Sequence, residues 1–338
     1  MYAMFFAITP LSGDVVVTDM VGRKIACPSG DEVKRVFATS YAMSCVLYAL
    51  APDKLCALNK AIDPEASRYL GDAIKAKDVL GGWLGFGKPA NIEALLKHRP
   101  QIIFAPDYKR KSGGKYIEKT IKRYKIPLLY ADIHRLDKLP ESFTFIGRVV
   151  GREARGLELA ATTREFLKRI SKISKNGKKV YYASGTDGLS SYSGRSPETE
   201  AIYLAGGVNA VDLKGSFNGR KKKNRRVTVN FEYLLKIDPD VIIVNSRQTC
   251  EYIKKNPAWS ALSAVKTRRV YQIPLQPISW INRPPSFPRL IGTLWLAGIL
   301  DSSAISTAEL KKYVRLFYKS VYHCELTEVE LNNFVAAK

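Results

Sequence analysis

Histidine, cysteine and acidic residues are scarce in this sequence: 338 residues carry three histidines, five cysteines and 31 carboxylates against 54 Lys and Arg. The cysteines (Cys27, Cys45, Cys56, Cys250 and Cys324) are scattered with no C-x-x-C spacing, which argues against a structural zinc site. They read as mostly small buried hydrophobes, and a Cys45–Cys56 bridge in an oxidising compartment stays open. His98, His134 and His323 are too few and too far apart for a histidine cage, so no protein metal centre is expected. No apolar run approaches the ~18 residues that cross a bilayer; "YAMFFAI" at the start is too short. The motifs G-x-S-x-G, H-E-x-x-H and G-x-x-x-x-G-K-[ST] are missing, and no catalytic residue is assigned. "GGWLGFG" is glycine-rich but lacks a Lys-Ser/Thr ending, and Trp83 and Phe86 would crowd a diphosphate.

The excess of Lys and Arg leaves a formal net charge of +23. Such an excess implies an anionic partner (nucleic acid, a membrane surface or a small anion) without choosing among them. Hydrophobic residues at 46% and charged residues at 25% are ordinary globular composition, enough to bury a core without disulfides. The length suits two domains at ~100–200 residues each. Residues 2–8, followed by Ser12 and Gly13, read as a shortened export-signal core without a basic leader or a clear A-x-A site. Residues 1–13 are therefore set apart as the remnant of a trimmed export signal; the competing reading is an ordinary first strand.

Residues 14–27 alternate around Gly22 as a β-hairpin does. Short β-rich runs then alternate with helical patterns. Strands are expected at Val36–Ala38, Leu55–Leu58, Ile102–Ala105, Pro127–Tyr130, Lys179–Ala183, Val241–Val244 and Val270–Ile273. Helices are expected near 41–50, 91–98, 115–123, 198–205, 230–237, 286–300, 306–320 and 326–334. Strands spaced by helices imply parallel βαβ units, hence an α/β fold. Residues 135–172 break the rhythm with apolar residues at mostly helical spacing, read as one helix ~50 Å long. The expected division is an N-terminal α/β lobe over 14–134, a connecting helix over 135–172, and a C-terminal α/β lobe with terminal helices over 173–338.

"NIEALLKHRPQIIFA" (91–105) and "NFEYLLKIDPDVIIV" (230–244) match in register, offset by 139 residues from Pro100 to Pro239. Each reads as an Asn cap, a two-turn helix, a Pro-marked stop and a buried parallel strand. A period this long excludes a solenoid and implies two similar lobes, with a ligand cleft where the carboxyl ends of their strands point.

The order of segments carries a resemblance. "DMVGRKIACP", "KRVFATS", "GGWLGFGKPANIEALLKHRPQIIFAP", "YLAGGVNAVD", "VNFEYLLKIDPDVIIVN" and "WINRPPSFPRLIGTLWLAGIL" follow one another over about residues 14–335. Together with the repeat, they resemble the substrate-binding proteins of ABC importers for iron–siderophores, haem, cobalamin and related metal chelates. The resemblance implies two Rossmann-like lobes joined by one long helix, with the ligand cleft between them. It further implies a monomeric, non-enzymatic periplasmic receptor that delivers its ligand to a permease in the inner membrane, with no cofactor beyond the bound chelate. Ferric siderophore is the first choice of ligand, then a nickel or cobalt chelate, cobalamin or haem; a molybdate or tungstate receptor of the same family is the alternative. A basic nucleic-acid-binding protein is the remote alternative, favoured by net charge alone. An enzyme on the same plan would need a cleft acid or base.

Loops after the strands supply the candidate ligand contacts: Tyr41, Trp83 and Phe86 in the first lobe, and Tyr192, Arg195, Trp280 and Arg283 in the second. The family's cobalamin receptors resemble the Gly-flanked Trp83 loop and place a ligand-contacting Trp there; the competing role is loop packing. Arg283 lies in "WINRPPS", stiffened by Pro284 and Pro285. The resemblance implies a cleft arginine there, whose planar fork suits a carboxylate, catecholate or oxyanion. Arg195 and Tyr192 fall in the polar "SSYSGRSPE" loop, and Trp280 either lines the cleft or covers the apolar base of the C-terminal helix. For permease docking the resemblance names Glu93 and Glu200; the internal repeat would point to Glu232 in place of Glu200, and the family pattern is followed, so Glu93 and Glu200 are the expected pair. The basic runs Lys109–Lys125, Arg164–Lys179 and Lys214–Arg226 carry no recognised nucleic-acid module and read as solvated surface, with guidance of an anionic chelate as the competing role.

Overall fold

A computed structural model describes residues 13–84, 90–107, 114–194, 196–212, 226–282 and 284–336. Residues 1–12 of the expected signal remnant, and the candidates Phe86, Arg195 and Arg283, lie outside these. The chain divides into two compact units. One runs to Arg164 and takes back Ser320–Cys324; the other comprises Glu165–Lys319 and Glu325–Lys338.

In the first unit, β1 (Asp14–Thr18) and β2 (Lys24–Pro28) form the expected antiparallel hairpin. Buried Asp19 closes its turn: the carboxylate accepts from the backbone N–H of Val21 (3.1 Å) and Arg23 (2.9 Å) and from the Arg23 guanidinium (2.7 Å). Strand β3 (Val36–Ala38) leads into α1 (Tyr41–Leu50), capped by the Ser40 hydroxyl. The strand expected at Leu55–Leu58 makes only isolated pairings, Val36 with Leu55 and Leu58 with Val79, and two short turns follow, α2 (Pro64–Ser67) and α3 (Asp72–Lys75). Helix α4 (Ile92–Lys97), β4 (Ile102–Pro106), α5 (Lys115–Lys122) and β5 (Leu128–Ala131) complete a parallel sheet in the order β3-β4-β5. Buried Phe37, Leu95, Ile103, Ile117, Ile121 and Tyr130 pack together against it.

The single helix expected over 135–172 is two: α6 (Leu139–Val149) and α7 (Glu153–Ile170). Gly151 breaks it with a φ of +63°, a conformation that favours glycine. A side chain there would also collide with the Gly30 carbonyl. Past the break, the two helices cross closely enough that a Cβ on Gly147 would lie 2.8 Å from the Gly156 Cα. The chain therefore passes from the first unit to the second within α7, at Arg164, rather than at residue 135.

The second unit contains β6 (Lys179–Ala183), β7 (Ser190–Tyr192), α8 (Glu200–Leu204), β8 (Val208–Asn209), β9 (Arg226–Thr228), α9 (Phe231–Ile237), β10 (Val241–Val244), α10 (Arg247–Lys255), α11 (Ser263–Lys266) and β11 (Val270–Gln272). Its parallel sheet runs β11-β10-β6-β8, and β7 pairs antiparallel with β9. Every residue of β10 is buried, as expected of a parallel strand covered on both faces. Three helices close the unit: α12 (Arg289–Leu300), α13 (Thr307–Phe317) and α14 (Glu328–Val335).

The repeat is realised in detail. Asn91 accepts from Ala94 N–H (3.0 Å) to cap α4, and Asn230 from Tyr233 N–H (2.8 Å) to cap α9. In both copies the residue before the proline, Arg99 and Asp238, turns left-handed (φ 47° and 37°). Pro disfavours the right-handed helical region for the residue before it, and each chain enters its buried strand from that turn.

Candidate functional site

In the first unit the carboxyl end of β3, the start of α1 and the Trp83 loop are pinned together by one buried amide. Asn59 donates from Nδ2 to the carbonyls of Ala38 and Gly81, each at 2.8 Å, and accepts from the Ser44 hydroxyl. The Thr39 carbonyl accepts from the N–H of Trp83 (2.9 Å) and Leu84 (3.0 Å), and the Trp83 ring meets Phe37 edge-on at 6.1 Å. Trp83 is thus partly exposed on a loop that is fixed, and Asn59 is the fixing element.

Asn59→Ala strands both carbonyls and the Ser44 hydroxyl. The expected loss is about 2 kcal/mol of stability. Trp259, Trp280 and Trp295 are all buried, so acrylamide quenching reads Trp83 and should rise in the variant. Unchanged quenching and an unchanged denaturation midpoint would remove Asn59 from this role.

Tyr41 is the first residue of α1, with the Lys60 ammonium 5.8 Å from its ring centre. Burial, with smaller contributions from Cys45 and Asp63, pushes its phenol well above the usual range. With no metal bound, Tyr41 stays protonated at neutral pH and is a hydrogen-bond donor.

In the second unit a cavity of about 440 Å³ opens at the carboxyl ends of β6 and β10 and the start of α10. It is lined by Ser184, Gly185 and Thr186 after β6, Asn245 and Ser246 after β10, and Gln248, Thr249 and Tyr252 on α10. The Thr249 hydroxyl donates to the Gly185 carbonyl at 2.7 Å, holding the β6 loop on α10, and Ser279 donates to Asn245 at 2.5 Å. All polar lining groups are uncharged hydroxyls, amides and backbone, set where parallel α/β sheets bind ligands. Asn245 and Ser246 follow a strand and are legible in the sequence; Gln248, Thr249 and Tyr252 are not, because nothing in α10 distinguishes a pocket face from a solvent face.

Two of the sequence candidates are buried. Trp280 has no exposed surface: its ring lies 5.4 Å from Phe334 and 6.5 Å from Tyr318, so it covers the base of the C-terminal helices, and it is not among the residues lining this cavity. Tyr192 is buried against Tyr182 at 5.6 Å, its carbonyl holds Asn209, and it does not line the cavity. The histidines have structural surroundings: His98 meets Asp78 at 3.1 Å, His134 is buried, and His323 packs on Tyr48, its pKa lowered chiefly by burial. All five cysteines are free, and among the described residues no three His, Cys, Asp or Glu side chains cluster as a metal site. Among the same residues no helix is long and apolar enough to cross a membrane.

The docking candidates separate clearly. Glu93 and Glu232 occupy the same position in the two repeat copies, in the first turn of α4 and α9, and both are exposed. Glu200 instead accepts from Arg289, a fully buried guanidinium that also donates to the Ser286 carbonyl (3.0 Å) and the Pro197 carbonyl (3.3 Å). The carboxylate of Glu200 therefore compensates a buried charge.

Parallel α/β units with a polar cavity at the strand ends have the layout of small-molecule binding proteins. A family profile described as "Periplasmic binding protein" matches residues 84–277, more than half of the chain, and the chain belongs to that family. Its family and fold are those of ABC-importer substrate-binding proteins, transport proteins rather than enzymes.

The chain is 23% identical to the molybdate-binding protein MolA of Haemophilus influenzae, over 91% of each chain. It is 25% identical to the Fe(3+)-citrate-binding protein YfmC of Bacillus subtilis over 56% of this chain, a match that spans 58% of that relative's length. The structure of an ABC transporter solute binding protein from Sulfurospirillum deleyianum superposes with a TM-score of 0.83 at 27% identity, covering 96% of this chain and 99% of the other.

Proposed function

We propose that the protein is the periplasmic receptor of an ABC importer and captures a metal-containing anion, a ferric chelate first, for delivery to a membrane permease. The observation that carries this reading is the polar, uncharged cavity at the ends of β6 and β10 in a chain of this family. Hydroxyl and amide groups suit the oxygen-rich outside of a chelate, and the net charge of +23 favours an anionic ligand. The chelator then completes the metal's coordination, and no cofactor is needed. The receptor acts as a monomer, with Glu93 and Glu232 as the carboxylates that meet the permease.

Molybdate is the second reading. One observation favours it: the molybdate-binding relative matches along 91% of both chains, whereas the ferric-citrate relative matches little more than half of either.

Titration with ferric citrate, a ferric catecholate and molybdate, followed by intrinsic tryptophan fluorescence, tests the reading; a saturable change with one of them is expected. Arg283→Ala should weaken that binding about ten- to a hundredfold, the size of a lost charge-assisted contact. Equal dissociation constants in a folded variant would take Arg283 out of the site.

A further inference from the structure

The basic surface of this protein is not uniform. On the C-terminal helices cations are paired with carboxylates: Lys311 and Arg315 share Glu328, and Lys319 meets Glu325 at 2.8 Å. On α5 they are not. Ile117 and Ile121 fix this helix to the core, each 1% exposed. The opposite face presents Tyr116 (69% exposed), Lys119, Lys122 and Arg123, continued by Tyr124 (41% exposed) and Lys125. The helix's one acid, Glu118, is half-buried and faces Arg23 at 3.4 Å. Among the described residues none of these four cations pairs with a carboxylate. Two exposed tyrosines set among four uncompensated cations form a surface with no internal purpose in the fold.

We propose that this face of α5 and the turn after it docks on an anionic lipid bilayer and holds the receptor near the membrane. Each Lys or Arg near an anionic leaflet gains from its surface potential. Tyrosine suits the boundary because its ring is apolar and its hydroxyl is wet. A nucleic-acid backbone offers similar charge. The choice of lipid rests on the proposed function, since a receptor serving a membrane permease works within reach of a bilayer.

The test needs neither ligand nor permease, so its failure leaves the transport reading standing. The whole protein is sedimented with vesicles of phosphatidylglycerol and phosphatidylcholine, and with vesicles of phosphatidylcholine alone. Binding is expected only to the first and should fall with salt. Lys119→Gln with Arg123→Gln should lower the partition coefficient about thirtyfold, and Tyr116→Ser with Tyr124→Ser should lower it further. The matched control, Lys311→Gln with Arg315→Gln, removes the same charge from the pair that shares Glu328 and should change binding no more than twofold. Unaltered melting temperatures confirm that these exposed substitutions leave the fold intact. Equal losses from the two charge pairs would make the binding a property of net charge and overturn the proposal. So would equal binding to both vesicles, or loss of single-stranded DNA binding in the α5 variant with vesicle binding untouched.

Discussion

Glu93→Arg with Glu232→Arg is expected to abolish uptake while ligand affinity and melting temperature stay at their original values. Both side chains are exposed, in matching first turns of helices capped by Asn91 and Asn230. They lie outside the cavity lining, and among the described residues neither carries an ion pair that its reversal would break. Charges of this kind govern association with a partner through complementarity rather than the stability of their own domain. Reversing both places like charges against the basic groups that the family resemblance implies on the permease, which costs several kcal/mol. Uptake of labelled ligand by cells carrying the double variant measures it; transport at the original rate would show that the docking surface lies elsewhere.

The opposite pattern is expected of Arg289. Arg289→Ala removes a buried guanidinium that serves Glu200 and the carbonyls of Ser286 and Pro197, leaving three acceptors in or near the core of α8 and α12. Breaking a buried pair from one side is among the most damaging single changes. Because Glu200 keeps about a third of its surface exposed, water takes up part of the loss. The expected destabilisation is about 2–4 kcal/mol, or roughly 10 °C in melting temperature for a unit of this size. Glu200→Arg should be at least as harmful, since it sets a second cation beside the first. Thermal denaturation separates the two roles. A Glu200→Arg variant as stable as the parent would return Glu200 to the docking surface.

The part of this fold legible in the sequence is the part decided locally. Val241–Val244 reads as a buried strand because four apolar residues follow a proline, and the structure buries all four. The Asn-capped helices of the repeat are legible because cap, helix and stop lie within one short segment. What escapes is what distant residues decide. Gly151 ends α6 because the Gly30 backbone approaches it closely, a neighbour that no helical pattern announces. Trp280 occupies a cleft-like loop in the sequence, yet Phe334 and Tyr318 draw it into the core. Glu200 matches the family's docking position, but its partner Arg289 is 89 residues away. Along the cavity, Gln248, Thr249 and Tyr252 become lining residues because the register of β6 against β10 sets Gly185 beside Thr249.

Elemental analysis and native mass spectrometry of the protein purified from its own cells test the central claim most directly. The account predicts one small metal-containing anion per chain, released on denaturation and rebound when added back, with iron the expected element and molybdenum the second. Recovery of nucleic acid in its place, or a chain that retains no small molecule and quenches with none of the chelates or oxyanions, would contradict it.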